Sequence, residues 1–299
     1  MTNILIGKFG KVISYGNGSD ISAAELLDYL GSDNQTKIIA IYMEGLAAGR
    51  EFFKALKAAA AKKPIVIHKG GRTVSGASAA ASHTAALAGT NAIWESAIRQ
   101  GGGYVTKTRD ETLDLLIALS LLSPIKGNRA AVVGGGGGRA VQAADCCEEN
   151  QIKLPDLPTA VHKIVDERAP TLTNWINNPV DQSILAGSGF SSHSLLSIML
   201  KSATYDFGIA NVGEEWFLGR PDAKNRLKHA CTRLIETIKD STLPVAVIYG
   251  ATETLQNDQR ILLDEMRDLL VNENLAVFPT IERATFTIGQ LLTTSKLSK

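Results

Sequence analysis

Cysteine, net charge and long apolar runs are all scarce in this 299-residue chain. Its three cysteines are Cys146, Cys147 and Cys231, and because two of them are adjacent, a disulfide of good geometry is hard to form. We therefore expect free thiols in a reducing cytoplasm. Lys plus Arg total 31 against 30 Asp plus Glu. This balance argues against nucleic acid or an anionic membrane surface as a partner.

No membrane or targeting segment is predicted either. The longest apolar stretch, 113–122, contains Asp114 and is much shorter than the roughly 20 residues that span a bilayer. Residues 1–9 lack the basic start and long apolar run of a signal peptide. Hydrophobic residues make up 44% of the chain and charged residues 20%, which is typical of a folded globular protein. The length is that of two domains.

Short β-branched runs alternate with helical patterns along the whole chain. Strands are predicted at 11–14, 38–42, 64–68, 129–133, 204–210, 245–249 and 275–278. Because such apolar strands need helices on both faces, the pattern predicts an α/β fold with parallel sheets. The rhythm breaks at Leu122–Asn128, which contains a proline and a glycine, so we expect one domain at 1–125 and a second at 126–299.

Two helices can be delimited in the first half. Asp20 or Ser22 is the candidate N-cap of a helix that starts at Ala23 and closes at Gly31. A second helix is predicted from Gly49 to Lys63, where the following proline stops it.

A glycine-rich turn is the first candidate for chemistry. The five glycines are consecutive, follow a predicted strand and precede the helical stretch 140–150; they are Gly134, Gly135, Gly136, Gly137 and Gly138. Such a turn lets the backbone approach a ligand, and the N–H groups at a helix start bind anions, so we expect a phosphate site. A plain strand-to-helix turn is the alternative. The Lys-Ser/Thr of a P-loop is missing and the acidic residue of a dinucleotide site is not clearly placed, which disfavours a nicotinamide-dependent oxidoreductase.

A histidine and a carboxylate form the second candidate. His83 lies in a run of small residues, 79–89, where its imidazole is uncrowded and largely neutral near pH 7. Glu44 follows the predicted strand 38–42, at the end where open α/β sheets bind ligands. A carboxylate there can hold one ring nitrogen of a histidine and fix its tautomer. The alternatives are an ordinary loop histidine and a loop-capping glutamate.

The remaining polar motifs are expected to be structural. The turns 69–73 and 178–181 are interpreted in this way. The other four histidines have no metal-ligand spacing with cysteines or carboxylates, so no metal site is predicted; they are His68, His162, His193 and His229.

The order of these motifs resembles a known family. Along the chain come Tyr42-Met43-Glu44-Gly45, Lys69-Gly70-Gly71-Arg72-Thr73, the loop 81–89 with Ser82-His83-Thr84, the glycine-rich turn, and Asn178-Pro179-Val180-Asp181. The chain thereby resembles the NDP-forming acyl-CoA synthetases, of the ADP-forming acetate–CoA ligase type related to succinyl-CoA synthetase, from about Lys11 to about Leu292. The resemblance implies two consecutive flavodoxin-like, parallel-sheet domains.

The resemblance also implies a chemistry. The chain would be a component of an acid–thiol ligase that relays a phosphoryl group between an acyl phosphate and ADP or ATP through a phosphohistidine. His83 matches the phosphorylated histidine and Glu44 the carboxylate that orients it, while the turn Gly134–Gly138 matches a helix N-terminus that stabilises the phosphohistidine. Ala85 stands where the family usually has glycine, and five glycines replace a more varied loop. Both departures concern the detailed geometry of the histidine loop and the glycine-rich turn, and not their roles.

Other parts of the family pattern are not recognisable here. They are the CoA-binding Rossmann domain, the ATP-grasp domain, and the first strand and helix of the histidine domain. We therefore expect no cofactor on this chain alone, with CoA and Mg-ATP or Mg-ADP held by partner domains or subunits in a homo- or hetero-oligomer. The first sheet would be incomplete at its N-terminal side and associate there. The alternative is a non-catalytic binding or regulatory module that keeps the fold and the anion site.

Overall fold

The structure, a computed structural model, describes residues 8–16, 18–78, 90–250 and 256–297. The chain divides into two compact units, the first formed by 1–120 with 293–299 and the second by 121–292. Each unit contains a parallel sheet with helices, which confirms the predicted α/β fold class. None of the helices in the described ranges combines the length and apolar character needed to cross a bilayer.

The first unit is built on a three-stranded sheet. Its strands are parallel in the order β1-β2-β3, and they are β1 (Ile39–Met43), β2 (Ile65–Lys69) and β3 (Tyr104–Thr106). The helices are α1 (Ala23–Ser32), α2 (Gly49–Ala60), α3 (Asn91–Gln100) and α4 (Arg109–Leu121). The core combines buried side chains from α1, α2, α3 and the strands, with Leu27, Phe52, Leu56, Ile65, Ile67 and Ile98 among them.

Helix α1 shows how local sequence sets an element. Of the two candidate N-caps, Ser22 has this role: its Oγ accepts the N–H of Glu25 at 3.2 Å, and the Glu25 carboxylate accepts the N–H of Ser22 at 2.9 Å. The prediction that Gly31 closes the helix is wrong. Gly31 is buried inside the helix, and a Cβ there would lie 3.1 Å from the Cβ of Ala59 on α2. Glycine therefore permits close helix packing.

One predicted strand does not form in the first unit. Residues 11–14 are irregular and pair with no described strand, and the Val12 side chain is 86% exposed. The physical reason is that a strand needs a neighbour to satisfy its backbone groups, and the sheet ends at β1. Conversely, β3 was not predicted from the sequence, because it has only three residues and follows Gly101–Gly103.

The second unit has a four-stranded parallel sheet in the order β4-β5-β6-β7, and each strand lies within a few residues of its predicted position. The strands are β4 (Ala130–Val133), β5 (Phe207–Asn211), β6 (Val245–Ile248) and β7 (Ala276–Phe278), and nearly every strand position is buried. The main helices are α5 (Gly137–Glu149), α6 (Thr159–Arg168), α7 (Ser192–Leu200), α8 (Ala223–Lys239), α9 (Asn257–Asn272) and most of α10 (Ile281–Leu297).

β4 has neighbours on both edges. β5 pairs with one edge, while Val180 pairs with Val133 through the other: the N–H of Val180 donates to Val132 O at 2.8 Å, and the N–H of Gly134 donates to Val180 O at 3.1 Å. The chain after β4 thus visits one side of this strand before it returns to the other. Such a reversal is a topological switch point, where open α/β sheets bind ligands beyond the strand ends.

The three cysteines are buried and not disulfide-bonded. Burial raises the pKa of the Cys147 and Cys231 thiols to about 12, so both are protonated and unreactive near pH 7.

Candidate functional site

Glu44 directly follows β1, at the carboxyl end of that strand, as predicted. Its Oε1 accepts a hydrogen bond of 2.9 Å from the Tyr42 hydroxyl. Its Oε2 is buried and has no hydrogen-bond partner within the described part of the chain. Because an unsatisfied buried carboxylate oxygen is costly, this atom is suited to accept a further N–H donor.

Tyr42 is itself fixed in place. Its ring stacks on the imidazole of His68, with ring centroids 5.6 Å apart and an angle of 18° between the planes. The hydrogen bond to Glu44 raises the pKa of the Tyr42 phenol. The phenol therefore keeps its proton and acts as a donor that orients the carboxylate.

A buried lysine lies in the same region. Lys69, the last residue of β2, is only 3% exposed, and its ammonium sits 5.3 Å from the centre of the Trp94 ring. Burial lowers the pKa of Lys69, and attraction to Glu44 partly offsets this. A cation held near Glu44 supplies positive charge to a site that we expect to handle phosphate.

Gly70 is required by this geometry. Its N–H donates to Met43 O at 2.9 Å, and a Cβ at this position would lie 2.8 Å from the Tyr42 hydroxyl oxygen and 3.2 Å from Cγ of Glu44. The turn 69–73, which the sequence analysis interpreted as structural, therefore also shapes the surroundings of Glu44. The Tyr-x-Glu spacing was the available signal, because alternate residues of a strand lie on one face.

A cavity of about 790 Å³ opens beside this carboxylate. It is lined by residues of the segment 13–18, by the start of α1, and by 42–48 after β1. Glu44 is itself one of the residues that line this cavity.

His83 lies outside the described residues, as does the rest of the small-residue loop 79–89. The predicted pairing of His83 with Glu44 therefore remains a prediction. The described chain resumes at Thr90, and α3 begins at Asn91.

The glycine-rich turn belongs to the second unit and links β4 to α5. Gly134 and Gly135 have φ angles of +95° and +73°. A Cβ on Gly134 would lie 1.9 Å from the carbonyl oxygen of Asn211, which only glycine avoids. The N–H of Gly134 is already used in the sheet, since it donates to Val180.

The start of α5 offers free donors. Gly136 is the N-cap and has no side-chain cap, and the N–H of Ala140 donates the first helical hydrogen bond to Gly136 O at 2.9 Å. The N–H groups of Gly137 and Gly138 therefore have no acceptor within the helix. Whether these five glycines bind phosphate remains a prediction.

The turn 178–181 braces this region. The Asn178 side chain accepts from Val132 N at 2.9 Å and donates to Ala130 O at 2.8 Å, which fixes it against β4. Asp181 Oδ1 accepts from Ser183 N at 2.7 Å, and its Oδ2 would lie 3.1 Å from a Cβ on Gly137. The turn thus has the predicted structural role and also places a carboxylate beside the start of α5.

Comparison with known proteins gives the family. A sequence profile described as "Succinyl-CoA ligase like flavodoxin domain" matches residues 6–119. The alpha subunit of acetate–CoA ligase (ADP-forming) II from Pyrococcus furiosus is 36% identical over 202 residues, which cover 68% of this chain and 44% of that subunit. The chain belongs to the NDP-forming acyl-CoA synthetase family.

Two further relatives extend this assignment. A trans-feruloyl-CoA synthase from an unknown prokaryotic organism is 24% identical over 290 residues, or 95% of this chain and 39% of that enzyme. The structure of the dinucleotide-forming acetyl-coenzyme A synthetase 1 of Ca. Korarchaeum cryptofilum, in complex with phosphate and ADP, superposes with a TM-score of 0.75 at 27% identity. The match covers 96% of this chain and 59% of that one. The chain thus spans less than half the length of the curated relatives described here.

Proposed function

We propose that this chain is a component of an ADP-forming acyl-CoA synthetase, in which His83 carries a phosphoryl group between an acyl phosphate and ADP. Family membership supports the reaction class. The observation that supports it most is the Glu44 carboxylate, which Tyr42 holds through Oε1 and whose buried Oε2 has no hydrogen-bond partner among the described residues. A scaffold protein gains nothing from such an atom, whereas an orienting carboxylate needs it.

In the proposed transfer step, the phosphoryl group moves from the acyl phosphate to His83. One ring nitrogen of neutral His83 attacks phosphorus, the bond between phosphorus and the acyl oxygen breaks, and the free carboxylate of the acid leaves. The other ring nitrogen keeps its proton and donates it in a hydrogen bond to Glu44 Oε2. The positive charge that develops on the ring is then offset by the carboxylate. Transfer to ADP reverses these roles and forms ATP.

We also propose a phosphate site at the glycine-rich turn and the start of α5. The N–H groups at the start of α5 are uncapped and carry the positive end of the helix dipole, which suits phosphoryl oxygens. CoA and Mg-ATP or Mg-ADP would be held by partner domains or subunits. The relatives are named for acetate and for trans-feruloyl-CoA, so we take the substrate class to be a monocarboxylic acid.

A reconstitution assay tests the proposal. The chain is combined with separately produced CoA-binding and ATP-grasp chains, and ATP formation from ADP, phosphate and acyl-CoA is followed. We expect ATP only when this chain is present, none with His83→Ala, and normal rates with the control His229→Ala, which alters an exposed histidine of α8. ATP formation that is unaffected by His83→Ala would refute the relay and favour the binding-module alternative.

A further inference from the structure

A second cavity, of about 320 Å³, lies wholly within the second unit. Val133, the last residue of β4, lines it together with Asn211 and Val212 at the end of β5. These are the strand ends beside the topological switch point described above. Ligands of open α/β sheets bind at such a place because loops from both sides of the sheet diverge there.

The lining of this cavity includes cationic and polar side chains. Arg220 and Arg226 line it, and the Arg220 guanidinium lies 6.0 Å from the centre of the Trp216 ring. Neither arginine forms an ion pair with a carboxylate of the described residues. His193 also lines the cavity, with its Nε2 2.8 Å from Ser191 Oγ. Two guanidinium groups that no described carboxylate pairs with attract an anionic ligand.

Apolar side chains also line the cavity, among them Leu185, Phe190, Val212, Phe217 and Leu234. Neutral polar residues complete the lining, with Gln182, Ser183, Ser192 and Asn211 among them. No aspartate or glutamate is among the described residues that line the cavity. An acidic side chain would repel an anion and would satisfy the arginines internally, so its absence from this lining keeps both guanidinium groups available.

We infer that this cavity binds a small monocarboxylic acid with an apolar, ring-sized body, its carboxylate on the arginines and its body among the aromatic and aliphatic side chains. A volume of about 320 Å³ suits such an acid and is at the lower end of ligand pockets, too small for a dinucleotide. The role of the bound acid rests on the proposed function, in which the acid would be the acyl substrate of the ligase. The recognition itself depends only on the second unit.

Binding is measured by isothermal titration calorimetry on the full chain with four probes: benzoate, benzamide, acetate and inorganic phosphate. We expect saturable binding of benzoate. Benzamide, which lacks the charge, and acetate, which lacks the ring, should each bind at least tenfold more weakly than benzoate. Arg226→Gln and Arg220→Gln should each weaken benzoate binding by about tenfold or more. The matched control is Arg168→Gln, an exposed arginine at the end of α6.

Several outcomes would overturn the inference. These are equal binding of benzoate and benzamide, unchanged benzoate affinity in both arginine variants with folding verified by circular dichroism, and binding of inorganic phosphate alone. The result of the benzoate titration can be distinguished from the result of the ATP-formation assay that tests the relay. Charge-dependent benzoate binding in a chain that never supports ATP formation would refute the proposed function and leave the cavity assignment standing. ATP formation by a chain that does not bind benzoate would refute the cavity assignment and leave the proposed function standing.

Discussion

The hydroxyl of Tyr42 donates a 2.9 Å hydrogen bond to Oε1 of Glu44, and this bond sets which oxygen of the carboxylate remains available. Oε1 is satisfied by the phenol, while Oε2 is buried without a partner in the described chain. The two residues are two positions apart at the end of β1, so a strand places both on one side. The carboxylate is thereby oriented before any histidine reaches it.

Tyr42→Phe should slow phosphorylation of His83 by about tenfold, because it removes a hydrogen bond to a charged group that is worth about 1.5–3 kcal/mol. Stability should change little, since the Tyr42 side chain is 60% exposed. The rate is followed by phosphate incorporation from an acyl phosphate. The control is Tyr29→Phe, another exposed tyrosine of the same unit. Equal rates for wild type and Tyr42→Phe would show that the phenol does not orient the carboxylate.

Gly134→Ala should destabilise the second unit by about 3 kcal/mol or more, because a Cβ at φ +95° would lie 1.9 Å from Asn211 O. Gly138→Ala is the matched control, since a Cβ there has no atom within 4 Å. Alanine is the better helix former, so we expect this control to be stabilised by about 0.5–1 kcal/mol. Urea unfolding measures both. A Gly134→Ala protein as stable as wild type would contradict the observed turn geometry.

Lys69 predicts a particular pH dependence of stability. Burial lowers the pKa of Lys69 below 10.5, so the folded state disfavours the ammonium form relative to the unfolded chain. This destabilising contribution is fully present below the folded-state pKa and disappears as the pH rises toward 10.5. Wild type should therefore gain stability relative to Lys69→Met over this rise in pH.

The measurement is urea unfolding of wild type and Lys69→Met at a series of pH values from 7 to about 10.5. Lys57→Met, which alters an exposed lysine of α2, serves as the control for the replacement of a lysine by methionine. A constant difference between wild type and Lys69→Met across the series would mean that the Lys69 ammonium is not penalised by burial.

The free edge of β1 predicts association. The N–H of Ile39 donates to Pro64 O and Met43 O accepts from Gly70, so alternate residues of β1 face β2 while Ala40 points its backbone groups away from it. No described strand covers that edge. We expect the chain to form a complex with itself or with a chain carrying the CoA-binding domain, detected by sedimentation velocity.

Ala40→Pro should weaken this complex without unfolding the chain, because it removes an N–H that faces away from β2. The control is Lys57→Met, which changes an exposed position of α2 outside this edge. A wild-type chain that stays monomeric at high concentration, alone and with such a partner, would contradict the association.

Much of the fold could be predicted from local pattern. Every strand of the second unit and two of the three strands of the first were predicted from apolar β-branched runs, because buried parallel strands are continuous in sequence. The segment 11–14 misled the prediction because it has a strand's composition without a strand's neighbour. β3 and the role of Gly31 escaped because both depend on packing against distant residues.

Some residues of the candidate site could be predicted from the sequence and others could not. Glu44 could be placed at a strand end from its position after an apolar run. Lys69 and Gly70 could not be connected with it, since parallel pairing of β1 with β2 brings them together across 25 positions of sequence. The cavity of the second unit joins β4, β5, the loop before α7 and α8, so no local motif could have indicated it.

The most direct test of the central claim is phosphopeptide mapping by mass spectrometry after exposure of the full chain to an acyl phosphate. We predict an acid-labile, base-stable phosphate on His83 that is absent from His83→Ala and reduced at least tenfold in Glu44→Gln, while His229→Ala retains it. Phosphate on any other residue, or no phosphate on a folded chain with or without its partner domains and ATP, would contradict the account.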